Sequence, residues 1–273
     1  MIEILLPVYN GEKYLREQIE SIINQDCDDW ILKIRNDGST DSSRTIISEY
    51  CQKFPNKIIE IDSPKGNEGL IRSINYLLAS EPHGKYVMLA DQDDVWLPDK
   101  IKCSIGALKE LEIDNSGKPL LVCTDATCVD CNLNIIAESF FETQKFPADT
   151  FSDINKMAAL NVVQGCTIAV NREAVDSFYP IPVFLNVHDS YIALRIRQHG
   201  NLAYLHQSTL LYRQHSNNEV GAKAIGLNYY LGRIRFMFKT IGLIRKLKKH
   251  VNTNLSITKI LFYKLYYACH RVI

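Results

Sequence analysis

The GxGxxG fingerprint of dinucleotide-binding turns is absent from this chain, and so is the GxxxxGK[ST] phosphate loop. The first tight turn reads PVYNGEKYL, with Pro7 and Tyr9 where those motifs place glycine. An oxidoreductase reading fails with the fingerprint, and any phosphate has to be held another way. No run of about 18 uncharged apolar residues occurs, so no membrane span is expected. The opening IEILLPVYN lacks the basic stretch and long apolar run of a signal peptide. Cys128 and Cys131 form a CxxC with Cys123 upstream, but no second CxxC follows to complete a zinc set. The eight cysteines are scattered, which reads as a reduced, cytosolic chain with small buried thiols. Acidic residues stop at Glu219, and eleven Lys and Arg follow it. That leaves 20 basic and 31 acidic residues in 1–219, a formal −11 against +11 for the rest.

What is present is an alternation. Strands are expected at 2–7, 30–36, 57–61 and 85–90. Helices are expected at 12–24, 41–53, 67–79 and 98–111, each with apolar residues at helical spacing or a cap at its start. Such βαβ units imply an α/β fold, a Rossmann-like mostly parallel sheet flanked by helices. Ligands then sit beyond the carboxyl ends of the strands, where Asn10, Asp37 and Asp91 lie. Further on, strands are expected at 120–130, 162–171, 201–205 and 208–215, and helices at 151–160 and 188–200.

The segment LADQDDVWLPDK puts Asp91, Asp93 and Asp94 within four positions after an apolar run. Like charges so close repel, and burying them without a partner is costly. A divalent cation is the natural counter-charge, since Mg²⁺ and Mn²⁺ prefer carboxylate oxygen and bridge it to substrate phosphates. The alternative is a solvated acidic turn in which Asp94 caps the next helix.

Seven segments in order, LLPVYNGEKYL, IRNDGSTDSS, NEGLIRSINYLL, LADQDDVWLPDKI, VVQGCTIAVNREA, HDSYIALRIRQHG and YRQHSNNEVGA, resemble the family 2 glycosyltransferases of GT-A type. DQDDVW, HDSYIAL and YRQHSNN are most similar to bacterial rhamnosyltransferase-type members. The resemblance implies a catalytic domain over 1–220, with nucleotide-sugar binding in about 1–115 and the acceptor half in about 116–220. It implies donor binding by Pro7, Tyr9, Asn10, Glu12, Asn36, Asp37, Asn67, Gly69, Arg72, Asp91 and Gln92. Asp37 would contact the base. Asn36 departs from the usual DDGS, exchanging an acceptor-only carboxylate for an amide. Asp93 and His215 would hold Mn²⁺ or Mg²⁺, and Asp189, at a helix start that holds it ionised, would be the catalytic base. Asp94, Trp96, Gly165, Cys166 and His188 would face the sugar or acceptor, with Gly165 admitting close backbone approach. Asp125 is a further acceptor-side candidate.

The implied reaction is an inverting single displacement. A nucleotide-diphosphate sugar, dTDP-rhamnose among the candidates, donates to a glycan or lipid-linked acceptor in cell-surface polysaccharide synthesis. A sugar-1-phosphate nucleotidyltransferase and a non-catalytic assembly subunit are the alternatives. The first lacks its Gly-rich, Arg-containing loop, and the second would have lost Asp93 or Asp189.

Residues 221–273 read as a basic helical extension. Leu227, Tyr230, Leu231, Ile234, Met237, Phe238, Ile241, Ile244 and Leu247 form an apolar stripe, and 256–271 form a second amphipathic segment. These helices either pack on the domain or meet anionic lipid, at the inner face of the plasma membrane of a cytoplasmic protein. Nucleic acid is not expected, because no recognition motif accompanies the basic residues.

Overall fold

The computed structural model describes residues 1–62, 66–147, 149–185, 188–215, 242, 245, 246, 248–250 and 255–270. The chain runs β1 (Ile2–Val8), α1 (Leu15–Ile23), β2 (Trp30–Asn36), α2 (Ser43–Lys53), β3 (Ile58–Glu60), α3 (Leu70–Ala79), β4 (Tyr86–Leu89), β5 (Val95–Trp96) and α4 (Lys100–Ile113). It continues with β6 (Leu120–Val129), β7 (Ile135–Ala137), α5 (Phe140–Thr143), α6 (Ile154–Leu160), β8 (Ile168–Asn171), α7 (Arg172–Phe178), α8 (His188–His199), β9 (Asn201–Arg213) and α9 (Ile257–His270). Single 3₁₀ turns cover Thr150–Ser152 and Gly165–Thr167.

The strands form one sheet in the order β3-β2-β1-β4-β8-β6-β9-β5, with β7 paired to β6. The parallel arrangement expected holds from β3 to β4. Beyond that the sheet is mixed: β8 runs antiparallel between β4 and β6, while β9 is parallel to β6 and antiparallel to β5. In β1 alternate residues serve two cores. Ile2, Ile4, Leu6 and Val8 pack with α1, α2 and α4, and Leu5 packs with α3, α6, α7 and α8. β4 and β6 divide their side chains the same way. The result is three layers, helix on sheet on helix, with β1, β2, β4, β6 and β8 buried on both faces.

Four elements depart from expectation for visible reasons. α1 starts at Leu15 rather than residue 12, because Gly11 to Tyr14 form a turn closed onto the Gly11 carbonyl. α3 starts at Leu70 rather than 67, because the amides of Glu68 and Gly69 are drawn to Asp37. The strand expected from 162 starts only at Ile168, after the 3₁₀ turn. The two short strands expected at 201–215 are one strand, and the gap between them is a register shift where Leu205 pairs Thr124 and Ser208 pairs Asp125.

The expected tail helix 256–271 is α9. Leu255 and Ile260 are fully buried in the α3–α8 core. Tyr263 Oη donates to Asp153 Oδ2 at 3.0 Å, and Ser256 N donates to Asn155 Oδ1 at 2.7 Å, fastening α9 to α6. The apolar stripe from Leu227 to Leu247 lies outside the described residues.

Candidate active site

The loop after β1 is held by the loop after β2. Asn10 takes φ +49°, its amide donates to Ser39 Oγ at 3.0 Å, and its side-chain oxygen accepts Thr40 N at 2.8 Å. Glu12 and Asp41 cross over, each carboxylate accepting an amide from the other's loop at 2.9 Å. Gly11 N donates to Ser43 Oγ at 2.8 Å. Glu12 is therefore a fastener between the two loops.

Asp37 is buried and turned inward. Its two oxygens accept Glu68 N at 2.9 Å and Gly69 N at 2.7 Å, and it is paired with the fully buried Arg35. Arg35 also donates to Ser73 Oγ at 2.5 Å and lies 4.9 Å from the Tyr76 ring centre. The carboxylate expected to read a base instead clamps the loop that enters α3. Gly38, at φ +76°, lets that loop close, since a Cβ there would sit 2.7 Å from Asn67 N. Around this clamp Tyr9, Asn10, Asn67 and Arg72 are exposed, Pro7 and Gly69 are half-buried and Asn36 is buried.

The acidic turn is tied to the same loop. Gln92 Oε1 accepts Tyr9 N at 2.9 Å, and Gln92 Nε2 donates to Tyr9 O at 3.0 Å. Asp93 Oδ2 then meets His215 Nε2 at 2.8 Å, across 122 residues of sequence. Both are partly open to solvent, 20% and 15%, and the imidazole stacks on Tyr14 with centroids 5.1 Å apart. The two residues expected to share a cation are thus brought together. One carboxylate oxygen and one imidazole nitrogen, hydrogen-bonded to each other and partly open to solvent, are donor types that Mn²⁺ or Mg²⁺ accepts.

Behind the turn, two expectations fail. Asp94 is fully buried, its Oδ1 accepting Arg213 N at 3.2 Å, so it fixes the end of β9 and meets no sugar. Burial, then the charges of Asp91 and Asp93, hold its carboxyl well above the usual range. Trp96 is 2% exposed in the α1/α4 core and cannot line an acceptor site. The positive charge the acidic cluster calls for is partly the protein's own. Lys100, fully buried, lies with Nζ 4.9 Å from the Trp96 ring centre and donates to Thr209 Oγ1 at 3.2 Å. Burial lowers its pKa to about 8 against the opposing pull of Cys166, Asp94 and Asp91. Arg213, 1% exposed, donates to the Asp93 carbonyl at 2.8 Å and the Cys131 carbonyl at 3.0 Å, pairs with Glu17 and sits 4.4 Å from the Tyr14 ring centre. Neither cation was anticipated, although both lie inside quoted segments, LADQDDVWLPDK and YRQH.

The 3₁₀ turn at Gly165–Thr167 carries the site across the sheet. One oxygen or sulfur atom each from Asp91, Asp94 and Cys166 lie within 4.8 Å of one another. Cys166 is 1% exposed, so it forms floor rather than surface. On the other side of the turn the Gly165 N–H lies toward Asp189 and opposes the effect of burial on its carboxyl. Gly165 is needed for the histidine, not for a ligand: a Cβ there would lie 2.7 Å from His188 Nε2. Burial drives His188 down to about 4, so its imidazole is neutral, and at 9% exposure it packs against Gly165. Asp189 is 8% exposed, and burial lifts it to about 7 despite the N–H groups of Ser190 and Gly165. The helix start does not hold it ionised at low pH, because desolvation outweighs the dipole. Asp125 is likewise committed, accepting Ser139 Oγ at 2.5 Å and Phe141 N at 3.1 Å to seat α5. Contacts thus tie Tyr9 to Gln92 and Asp93 to His215 at the strand-end turns, while Asp91 lies near Cys166, whose neighbour Gly165 packs against His188, the residue before Asp189.

Comparison with known proteins finds relatives for this chain. The model described as "Glycosyl transferase family 2" matches residues 3–123. The dTDP-rhamnosyl transferase RfbG of Shigella flexneri is 26% identical over 259 residues, covering 88% of this chain and 79% of that protein. The structure of S. aureus TarS 1–349 with UDP-GlcNAc superposes with a TM-score of 0.63 at 15% identity, over 98% of this chain and 71% of that one. The mannosyltransferase PcManGT of Pyrobaculum calidifontis, with GDP-Man and Mn²⁺, gives 0.61 at 16% identity, over 99% and 70%. At these identities the two structures establish the fold. Residues 3–123 thus match glycosyl transferase family 2, in a chain with a GT-A type fold.

Proposed function

We propose that the chain transfers a sugar, with inversion, from a nucleoside-diphosphate sugar to a hydroxyl of a glycan or lipid-linked saccharide. The observation that carries this reading is the pairing of Asp93 with His215 at the strand-end turn that Gln92 ties to the exposed Tyr9 loop. Tyr9, Asn10, Asn67 and Arg72 offer the exposed surface for the nucleotide, and residues 1–115 take the donor while 116–220 take the acceptor. Asp189, poised near neutrality, removes the proton from the acceptor hydroxyl. That oxygen attacks the anomeric carbon in line, the bond to the diphosphate breaks on the opposite side, and the configuration inverts. Asp93 and His215 would hold Mn²⁺ or Mg²⁺, which when bound supplies positive charge to the departing diphosphate. The name of the Shigella relative makes dTDP-rhamnose the first donor to try.

The test is a thermal-shift screen of UDP-, GDP- and dTDP-sugars with and without Mn²⁺, beside Asp93→Ala. One nucleotide class should raise the Tm only with metal, and the variant should lose that rise. A metal-independent shift retained in Asp93→Ala, or no shift with any donor, would count against the reading.

A further inference from the structure

Tyr14 ends the segment PVYNGEKY, yet at 8% exposure it lies outside the surface offered to the nucleotide. Its backbone is fixed on both sides. The Tyr14 N–H donates to the Gly11 carbonyl at 3.0 Å, and the Tyr14 carbonyl accepts Gln18 N at 3.2 Å, where α1 begins. Three side chains meet its ring. The Arg213 guanidinium lies 4.4 Å from the ring centre, Lys13 Nζ lies 4.8 Å from it, and the His215 imidazole stacks at 5.1 Å with 30° between the planes. Arg213 is also held three residues further along the helix, by its ion pair with Glu17. The start of α1 is therefore a firm seat for the end of β9.

His215 has use for such a seat. The backbone is pinned just before it, where Gln214 N donates to the Val129 carbonyl at 2.8 Å. The imidazole beyond still has two side-chain torsions to set. Asp93 Oδ2, 2.8 Å from Nε2, helps to set them. That contact gives way to a bound cation. A hydrogen bond between Oδ2 and Nε2 needs a proton between the two atoms, whereas a metal takes the lone pair of the nitrogen. The stack on Tyr14 uses the face of the imidazole and not its nitrogens, so it persists when the proton is replaced. An aromatic face also favours the positive charge that an imidazole gains on ligation.

We propose that Tyr14 is a positioning residue whose ring holds the His215 imidazole in orientation when a cation takes the place of its hydrogen bond to Asp93. The inference rests on the reading of Asp93 and His215 as ligands of a divalent cation.

The test is the affinity of the full chain for Mn²⁺ alone, read from the loss of the free-ion electron paramagnetic resonance signal. The proteins compared are the parent, Tyr14→Met, Tyr14→Phe, His215→Ala and the double variant Tyr14→Met with His215→Ala. Methionine removes the ring while filling much of the buried volume. Tyr14→Met should bind Mn²⁺ about tenfold more weakly, the scale of losing a group that orients a metal ligand. Tyr14→Phe, which restores the ring, should restore the affinity. Tyr14→Leu, equally without a ring, serves as the second ring-free variant if Tyr14→Met does not fold, and should behave in the same way. In the His215→Ala background the loss of the ring should change nothing further, because a platform has no effect without the group it carries. A merely structural role for Tyr14 would lower the affinity equally in both backgrounds, and that result would overturn the proposal. So would parent-like affinity in the ring-free variants, or failure of Tyr14→Phe to restore it. Equal Mn²⁺ affinity in the parent and His215→Ala would instead remove the ligand reading itself, and the proposal with it.

Discussion

At the scale of single residues, Asp189 and His188 stand side by side with opposite shifts. The Asp189 carboxyl moves from 3.8 to about 7 and the His188 imidazole from 6.5 to about 4, both through burial. Between those limits the folded state keeps a proton on Asp189 that the unfolded chain releases. That contribution to stability is full at low pH and declines as pH rises toward 7. His188 works the other way: the unfolded chain takes up a proton the folded state refuses, so stability is lost as pH falls from 6.5 toward 4. Removing the carboxylate should expose the histidine's share. In Asp189→Asn, urea midpoints should rise more steeply from pH 4 to 6.5 than in the parent, and the gap between the two proteins should widen up to pH 7. Transfer activity should fall by about 10² to 10⁴ in the same variant. The parent's kcat/KM should climb to a plateau above about pH 7, and a flat profile down to pH 5 would remove Asp189 from the base role.

At the scale of elements, the 3₁₀ turn at Gly165–Thr167 joins the two sides of the site, and its tolerance for bulk is small. Gly165→Ala places a methyl group against buried His188, which should cost about 1–3 kcal/mol in urea unfolding. Gly165→Ala with His188→Ala should recover part of that loss, as double-mutant analysis would register. This turn also marks where the sequence became hard to read. The strand-like runs of β1 and β2 identified their strands to within one residue, although Glu3, Lys33 and Arg35 interrupt the apolar pattern and are buried with it. β5, β7, α5 and α7 went unread, being two to seven residues long, too short for a period to develop. Asp93 and His215 were legible from their segments. The burial of Lys100 and Arg213 was not, since a charged side chain ordinarily signals solvent and only the tertiary pairing shows otherwise. Trp96 and Asp94 failed for the complementary reason: proximity in sequence to a ligand-bearing turn does not tell which way a side chain points.

At the scale of the whole molecule, the question is whether the expected halves and the tail unfold as one. The two tryptophans, Trp30 and Trp96, both lie in the core formed with α1, α2 and α4. Ile260 of α9 is fully buried in the core on the opposite face. The sheet is shared by both cores, so tryptophan fluorescence should report damage done to α9. Ile260→Ala should lower the fluorescence-detected stability by about 2–5 kcal/mol, with the slope of the urea transition unchanged. A tryptophan transition indifferent to this substitution would show that α9 and its layer unfold separately.

The Gln92 carboxamide offers Tyr9 one donor and one acceptor, as a peptide group on a neighbouring strand would. The aromatic loop and the acidic turn are therefore in fixed register, like two rungs of a ladder. A ligand resting on Tyr9 meets Asp91 and Asp93 at a set offset, whatever is attached at its far end. A change of sugar preference should then be achieved by substitutions around Gly165–Cys166 and α8, while Gln92→Ala, by freeing the register, should blur the preference without redirecting it.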